Sequence, residues 1–139
     1  MTLELLFWIA HAVALAGWIA LIVRPGAGGV RIARWAAAAL ALGYAILFFF
    51  FVEDASVLAG DYSLAGVGAF FATRSMMLLG WVHYLAFDLF VGSWEAEEGR
   101  RLGMPRVVLL LCLALTFLLG PLGLLAFFAA RSARNSIAS

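Results

Sequence analysis

A chain of 139 residues that is 66% hydrophobic and only 12% charged lacks the polar side chains needed to coat a water-soluble globule. With a mean hydropathy of +1.08 it reads as an integral membrane protein, and its length allows one domain, 1–139. A formal net charge of +1 with no basic stripe argues against a nucleic-acid partner.

The first apolar run covers about 5–23 and ends at Arg24-Pro25-Gly26. It has no basic leader and no small-residue cleavage pattern, so a cleaved signal peptide is not expected. "RPGAGGVRIAR" follows, with Pro25, Gly26, Gly28 and Gly29 as turn residues, and leads to a second run over about 35–52. A longer connection, Glu53 to Arg74, contains "GVGAFFATR", whose apolar residues predict a short interfacial or re-entrant piece. The third run spans about 75–94. "EAEEGRRLGMPR" then leads to the fourth, about 107–130, with Pro105 suited to a helix start. Each run approaches the ~20 residues a helix needs to cross the hydrocarbon. The runs are continuous rather than alternating, which favours helices over barrel strands. Short connections then predict an all-α, integral membrane four-helix up-down bundle. Within the fourth run, "TFLLGPLGLL" predicts a kink at Gly120-Pro121, with Gly120 and Gly123 leaving room for a neighbouring helix or a ligand.

All nine basic residues are arginine. Arg24, Arg31, Arg34, Arg100, Arg101 and Arg106 fall in the first and third connections, against Arg74, Arg131 and Arg134 elsewhere. This asymmetry places the two connections in the cytoplasm and both termini outside, with Glu53, Asp54 and Asp61 facing outward. Cys112 is the single cysteine, so no intrachain disulfide forms, and no ligand spacing points to a metal or other cofactor.

Two ionisable residues, His83 and Asp88, interrupt the third run. At ~1.5 Å per residue, His11, Tyr44, Trp81, His83 and Thr116 share a central layer, and Asp88, Trp18 and Cys112 an inner one. Residues seven apart share a helix face. One stripe is therefore Arg74, Trp81, Asp88 and Glu95, and another is Glu4, His11 and Trp18. Two such stripes read as the lining of a groove between the first and third helices. His83 is rotated ~140° from Asp88, so the two form no pair within their helix.

A carboxylate in hydrocarbon is costly and marks a functional site by default, so Asp88 is the candidate acid. Its alternative is a structural hydrogen bond to the Trp18 indole or to a backbone. His83 is a candidate base or proton shuttle, or an interhelical hydrogen-bonding group. His11, Trp18, Tyr44, Trp81, Tyr84, Thr116 and Gly120 are the candidate ligand-lining residues.

"GWVHYLAFDLFVGSW" (80–94), followed by the basic-proline connection and "LTFLLGPLGLLAFFAAR" (115–131), resembles the abscisic-acid-deficient-4-like family. These are small four-helix membrane proteins linked to neoxanthin synthesis in plants, and the resemblance covers nearly the whole chain. It implies non-redox carotenoid chemistry: an epoxide opens and a proton is lost to form an allene. Such a step needs a general acid and a base. His83 and Asp88 match the family motif by position, and the acid and base roles given to them come from the residues themselves. No plastid transit peptide is evident, so a bacterial inner membrane is the expected location. The first reading is acid/base isomerisation of a carotenoid or related isoprenoid. A second is a non-catalytic protein that binds pigment or lipid or scaffolds a partner. A third is a proton or ion pathway, which would need homo-oligomers. The expected partners are membrane lipid and an apolar isoprenoid or carotenoid.

Overall fold

The computed structural model describes residues 2–24, 26–51, 60 and 62–138, the side chains of 135–138 excepted. It is all-α among these residues, with six helices: α1 Leu3–Val23, α2 Ala27–Phe51, α3 Leu64–Phe70, α4 Arg74–Arg101, α5 Arg106–Leu119 and α6 Pro121–Ala138. Three of them, α1, α2 and α4, are long and apolar enough to cross a membrane. Glu53, Asp54 and Asp61, expected to face outward, lie outside the described residues.

Side-chain caps set three helix starts. Thr2 accepts from the Leu5 N–H, Ser63 from the Gly66 N–H and Thr73 from the Met76 N–H. α1 matches its predicted span closely, but α2 begins eight residues early. Gly28 and Gly29 are helical rather than turn residues. A β-carbon on Gly29 would sit 2.0 Å from the Arg24 carbonyl oxygen and 2.5 Å from that of Ala20. Only glycine lets the start of α2 cross so close to the end of α1. The expected short piece after the second span is present as α3, with Phe71 packed on Gly80.

α4 runs past its predicted end at Trp94 to Arg101, about 42 Å at 1.5 Å per residue. Its polar last turns are held by partners. Arg34 of α2 bonds Glu97 at 2.6 Å, and Glu98 accepts from the Arg101 Nε at 2.7 Å. Glu95, expected in a connection, is helical and fully buried.

The four-helix up-down prediction fails at the fourth run, which does not form one kinked span. α5 rises from Pro105, reverses at Gly120, and α6 returns alongside it. Gly123 abuts the Thr116 backbone, and Phe127 and Leu109 both meet Gly99. Near its far end, α6 places Arg131 3.4 Å from Glu98 and donates from Arg134 to the Leu102 carbonyl oxygen at 2.9 Å. The physical cause is the backbone of Gly120, at φ +42 and ψ −95, a conformation side chains resist. Pro121 then opens α6 where its missing N–H costs nothing.

The architecture is therefore three long helices and a helical hairpin. The hairpin also corrects the expected placement of the chain ends: the end of α6 lies at the opposite end of the molecule from the start of α1. Arg131 and Arg134 join the other six arginines, so eight sit at one end and Arg74 alone at the other. The core lies where α1, α2 and α4 meet, with Ala14, Leu21, Ala33, Leu40, Val82 and Leu89 buried.

Candidate functional site: the face of α4 and the hairpin tip

α1 and α4 pack with their heptad stripes facing at a constant offset. Glu4 pairs with Arg74, and His11 with Trp81, seventy residues on in both cases. Equal offsets mean parallel helices in register, as in a heptad seam. The Trp81 indole N–H donates to His11 Nε2 at 3.1 Å, and His11 Nδ1 lies 2.9 Å from the Phe7 carbonyl oxygen. An indole only donates, so Nε2 must accept and Nδ1 carries the hydrogen given to Phe7. His11 is thereby fully occupied within the α1–α4 contact.

The next layer departs from this pairing. Trp18 is buried at 3% exposure and fills the notch left by Gly92, where a β-carbon would lie 2.4 Å from its ring. It meets Phe117 of α5 edge-on, with centroids 5.4 Å apart. No hydrogen bond joins Trp18 to Asp88 among the described residues. Asp88 instead faces the hairpin tip. A β-carbon on Gly120 would lie 3.0 and 3.1 Å from its two carboxylate oxygens. Glycine is thus required at 120 for conformation and for space.

Tyr84 lies one turn before Asp88 on the same face of α4 and is half-buried like it. Asp88 Oδ2 is buried and has no hydrogen-bond partner among the described residues. Gly80, Tyr84 and Asp88 are spaced four apart and form one stripe. Phe71 closes the stripe at Gly80 and Gly120 closes it at Asp88. The interval between them is eight residues, or about 12 Å. Tyr84 and Asp88 are half-buried there, so the stripe is partly open at the side of the bundle.

One turn beyond the tip, Thr116 Oγ1 lies 2.9 Å from both carboxylate oxygens of Glu95, and both residues are fully buried. Thr116 thus belongs to the inner layer with Glu95 rather than to the central layer expected for it. Cys112, a turn earlier on α5, is buried as a free thiol. Glu95 was not singled out as a site residue by the sequence reading, although it is the last member of the Arg74, Trp81, Asp88, Glu95 stripe.

His83 stands elsewhere. It is exposed on the α2 side of α4, edge-on to Tyr44 at 5.6 Å and stacked on Phe87 at 4.6 Å. The expected angular separation of His83 from Asp88 is therefore realised, and Tyr44 goes with His83. The site gathers Tyr84, Asp88, Gly120, Thr116 and Glu95, with Trp18 beneath and His11 and Trp81 above. It leaves His83 and Tyr44 on another face. Among the described residues, no three His, Cys, Asp or Glu side chains cluster to hold a metal ion.

A half-buried carboxylate on a long apolar helix, met by a glycine-turned hairpin, defines a small helical membrane protein with a polar site along its apolar body. The chain belongs to the ABA DEFICIENT 4-like family, whose model matches residues 5–127. No curated protein and no solved structure matches it.

Proposed function

We propose that the protein carries out non-redox acid/base isomerisation of a carotenoid or related isoprenoid along the stripe of Gly80, Tyr84 and Asp88 beside Gly120. The observation that carries this reading is Asp88 Oδ2, a buried oxygen with no partner, facing the tip of the hairpin. A buried polar atom without a partner is costly, and a ligand that supplies one recovers that cost. Family membership supports a carotenoid-related substrate.

A single carboxyl group serves both halves of such a reaction. As the acid, Asp88 gives its proton to an epoxide oxygen as the carbon–oxygen bond breaks. Its other oxygen takes the proton lost from the adjacent polyene carbon as the new double bond forms. One proton is given and one received, so no oxidant or reductant is required. Tyr84 orients the carboxyl group. A base at His83 is not needed, which agrees with its position on another face.

The test is a pigment chromatogram from carotenoid-epoxide-producing cells that express the wild type, Asp88→Asn, Tyr84→Phe or His83→Ala. Asp88→Asn should abolish the rearranged product, Tyr84→Phe should reduce it and His83→Ala should leave it. Product from folded Asp88→Asn would refute the catalytic role. A second reading, a pigment- or lipid-binding scaffold, rests on the same unpartnered Asp88 Oδ2, which would hold a ligand by a hydrogen bond with no proton transfer. Pigment that copurifies chemically unchanged with both wild type and Asp88→Asn would establish it.

A further inference from the structure

A second feature lies on the opposite side of α4 and depends on nothing in the reading above. Two depressions along the α2–α4 face share Arg34 and Ala38 and so form one continuous trough. Its floor is Ala37, Ala38, Ala41 and Ala86, and its wall is Phe87 and Phe90. Its mouth, at the end that holds eight of the nine arginines, is made by Arg31, Arg34, Trp35 and Glu97.

The mouth carries positive charge that the protein leaves unused. Arg34 gives one N–H from each terminal nitrogen to Glu97, at 3.4 and 2.6 Å, which neutralises that carboxylate. Arg31 is exposed with no ion pair among the described residues, so its charge is the one left over. Trp35 is 73% exposed beside them, the position an indole takes at the boundary between headgroups and hydrocarbon. From Arg31 to Ala41 is ten residues of helix, about 15 Å, or half the thickness of a bilayer's hydrocarbon core. The trough is thus as long as one leaflet is deep, with cations at its headgroup end and alanines where a chain would lie. A transmembrane partner helix would use the whole length of the span instead.

We propose that this trough binds an anionic phospholipid from the leaflet at the arginine-rich end. Its phosphate sits on Arg31, beside the Arg34–Glu97 pair, and one acyl chain lies along the alanine floor against Phe87 and Phe90. Arg31 supplies the preference for negative charge, and the missing side-chain volume at Ala38 and Ala41 supplies the space.

The experiment reconstitutes the protein in phosphatidylcholine vesicles doped at equal mole fraction with acyl-brominated phosphatidylglycerol or acyl-brominated phosphatidylcholine. Bromine quenches indole fluorescence on contact, and subtracting a Trp35→Phe variant isolates the Trp35 signal. Brominated phosphatidylglycerol should quench Trp35 more strongly. Arg31→Gln should lower that preference about five-fold, the effect of one basic residue at an anionic surface. Ala41→Leu should weaken quenching by filling the floor. Arg106→Gln, at the same end but outside the trough, should change little. Equal quenching by the two lipids overturns the proposal. So does an equal loss in Arg106→Gln, which would mean diffuse attraction to the surface. Disulfide cross-linking of Ala38→Cys between two copies in the vesicles would put a second chain in the trough and also overturn it.

Discussion

Replacing Gly120 with alanine tests the hairpin directly. The residue sits at φ +42 and ψ −95, outside the backbone regions open to side chains. Holding alanine there costs ~1–3 kcal/mol. The new β-carbon would also lie 3.0 and 3.1 Å from the oxygens of Asp88, and moving that carboxylate adds ~1 kcal/mol of overpacking. The expected loss is ~3 kcal/mol, roughly 10 °C in melting temperature for a chain of this size. Cys112, buried on α5 and the single cysteine in the chain, is a ready reporter. A fluorogenic thiol dye, added to detergent-solubilised protein during a thermal ramp, reacts when the hairpin opens. Gly43→Ala is the matched control, because a β-carbon there meets nothing within 4 Å and alanine favours the helix. A Gly120→Ala melt that coincides with wild type while Gly43→Ala behaves as expected would refute the reversed turn. It would restore a continuous, kinked fourth span.

The remaining expectations use other readouts. On a Cys112→Ala background, single cysteines at Arg100 and Ala133 should react with a membrane-impermeant maleimide from one side and a cysteine at Leu64 from the other; opposite sides for Arg100 and Ala133 would contradict the hairpin. Thr116→Val should destabilise the protein by ~2 kcal/mol, because it leaves the buried Glu95 carboxyl without its donor. Adding Glu95→Leu should recover most of that loss in the same melt, and simple additivity would show that the two groups do not act on each other. Gly92→Ala should cost ~1–3 kcal/mol through collision with the Trp18 ring, and Gly92→Ala with Trp18→Leu should cost less than the sum.

The membrane character, α1 and the relation of His83 to Asp88 were all legible from hydropathy and the 100° step of a helix. The seven-residue stripes also anticipated real contacts, since Glu4 meets Arg74 and His11 meets Trp81. What escaped was set by partners distant in the chain. Glu97 and Glu98 look like connection residues until Arg34, Arg101 and Arg131 are seen to hold them in α4. The hairpin escaped for another reason. Hydropathy measures how apolar a run is and carries no sign for direction, so 24 apolar residues read the same whether they cross or turn back. Gly120-Pro121 marked the place, but a kink and a reversal share that dipeptide. Only the fit of Gly120 against Asp88, and of Gly123 against Thr116, distinguishes them. Glu95 was missed because its neighbours are charged, although its stripe pointed inward.

The returning hairpin also gives the molecule a taper. A section through the arginine-rich half cuts five helices, α1, α2, α4, α5 and α6, while a section through the other half cuts α1, α2 and α4, with the seven-residue α3 beyond. The protein therefore displaces more lipid from one leaflet than from the other. Such a wedge relieves packing stress where the membrane bends so that the wide end lies on the expanded side.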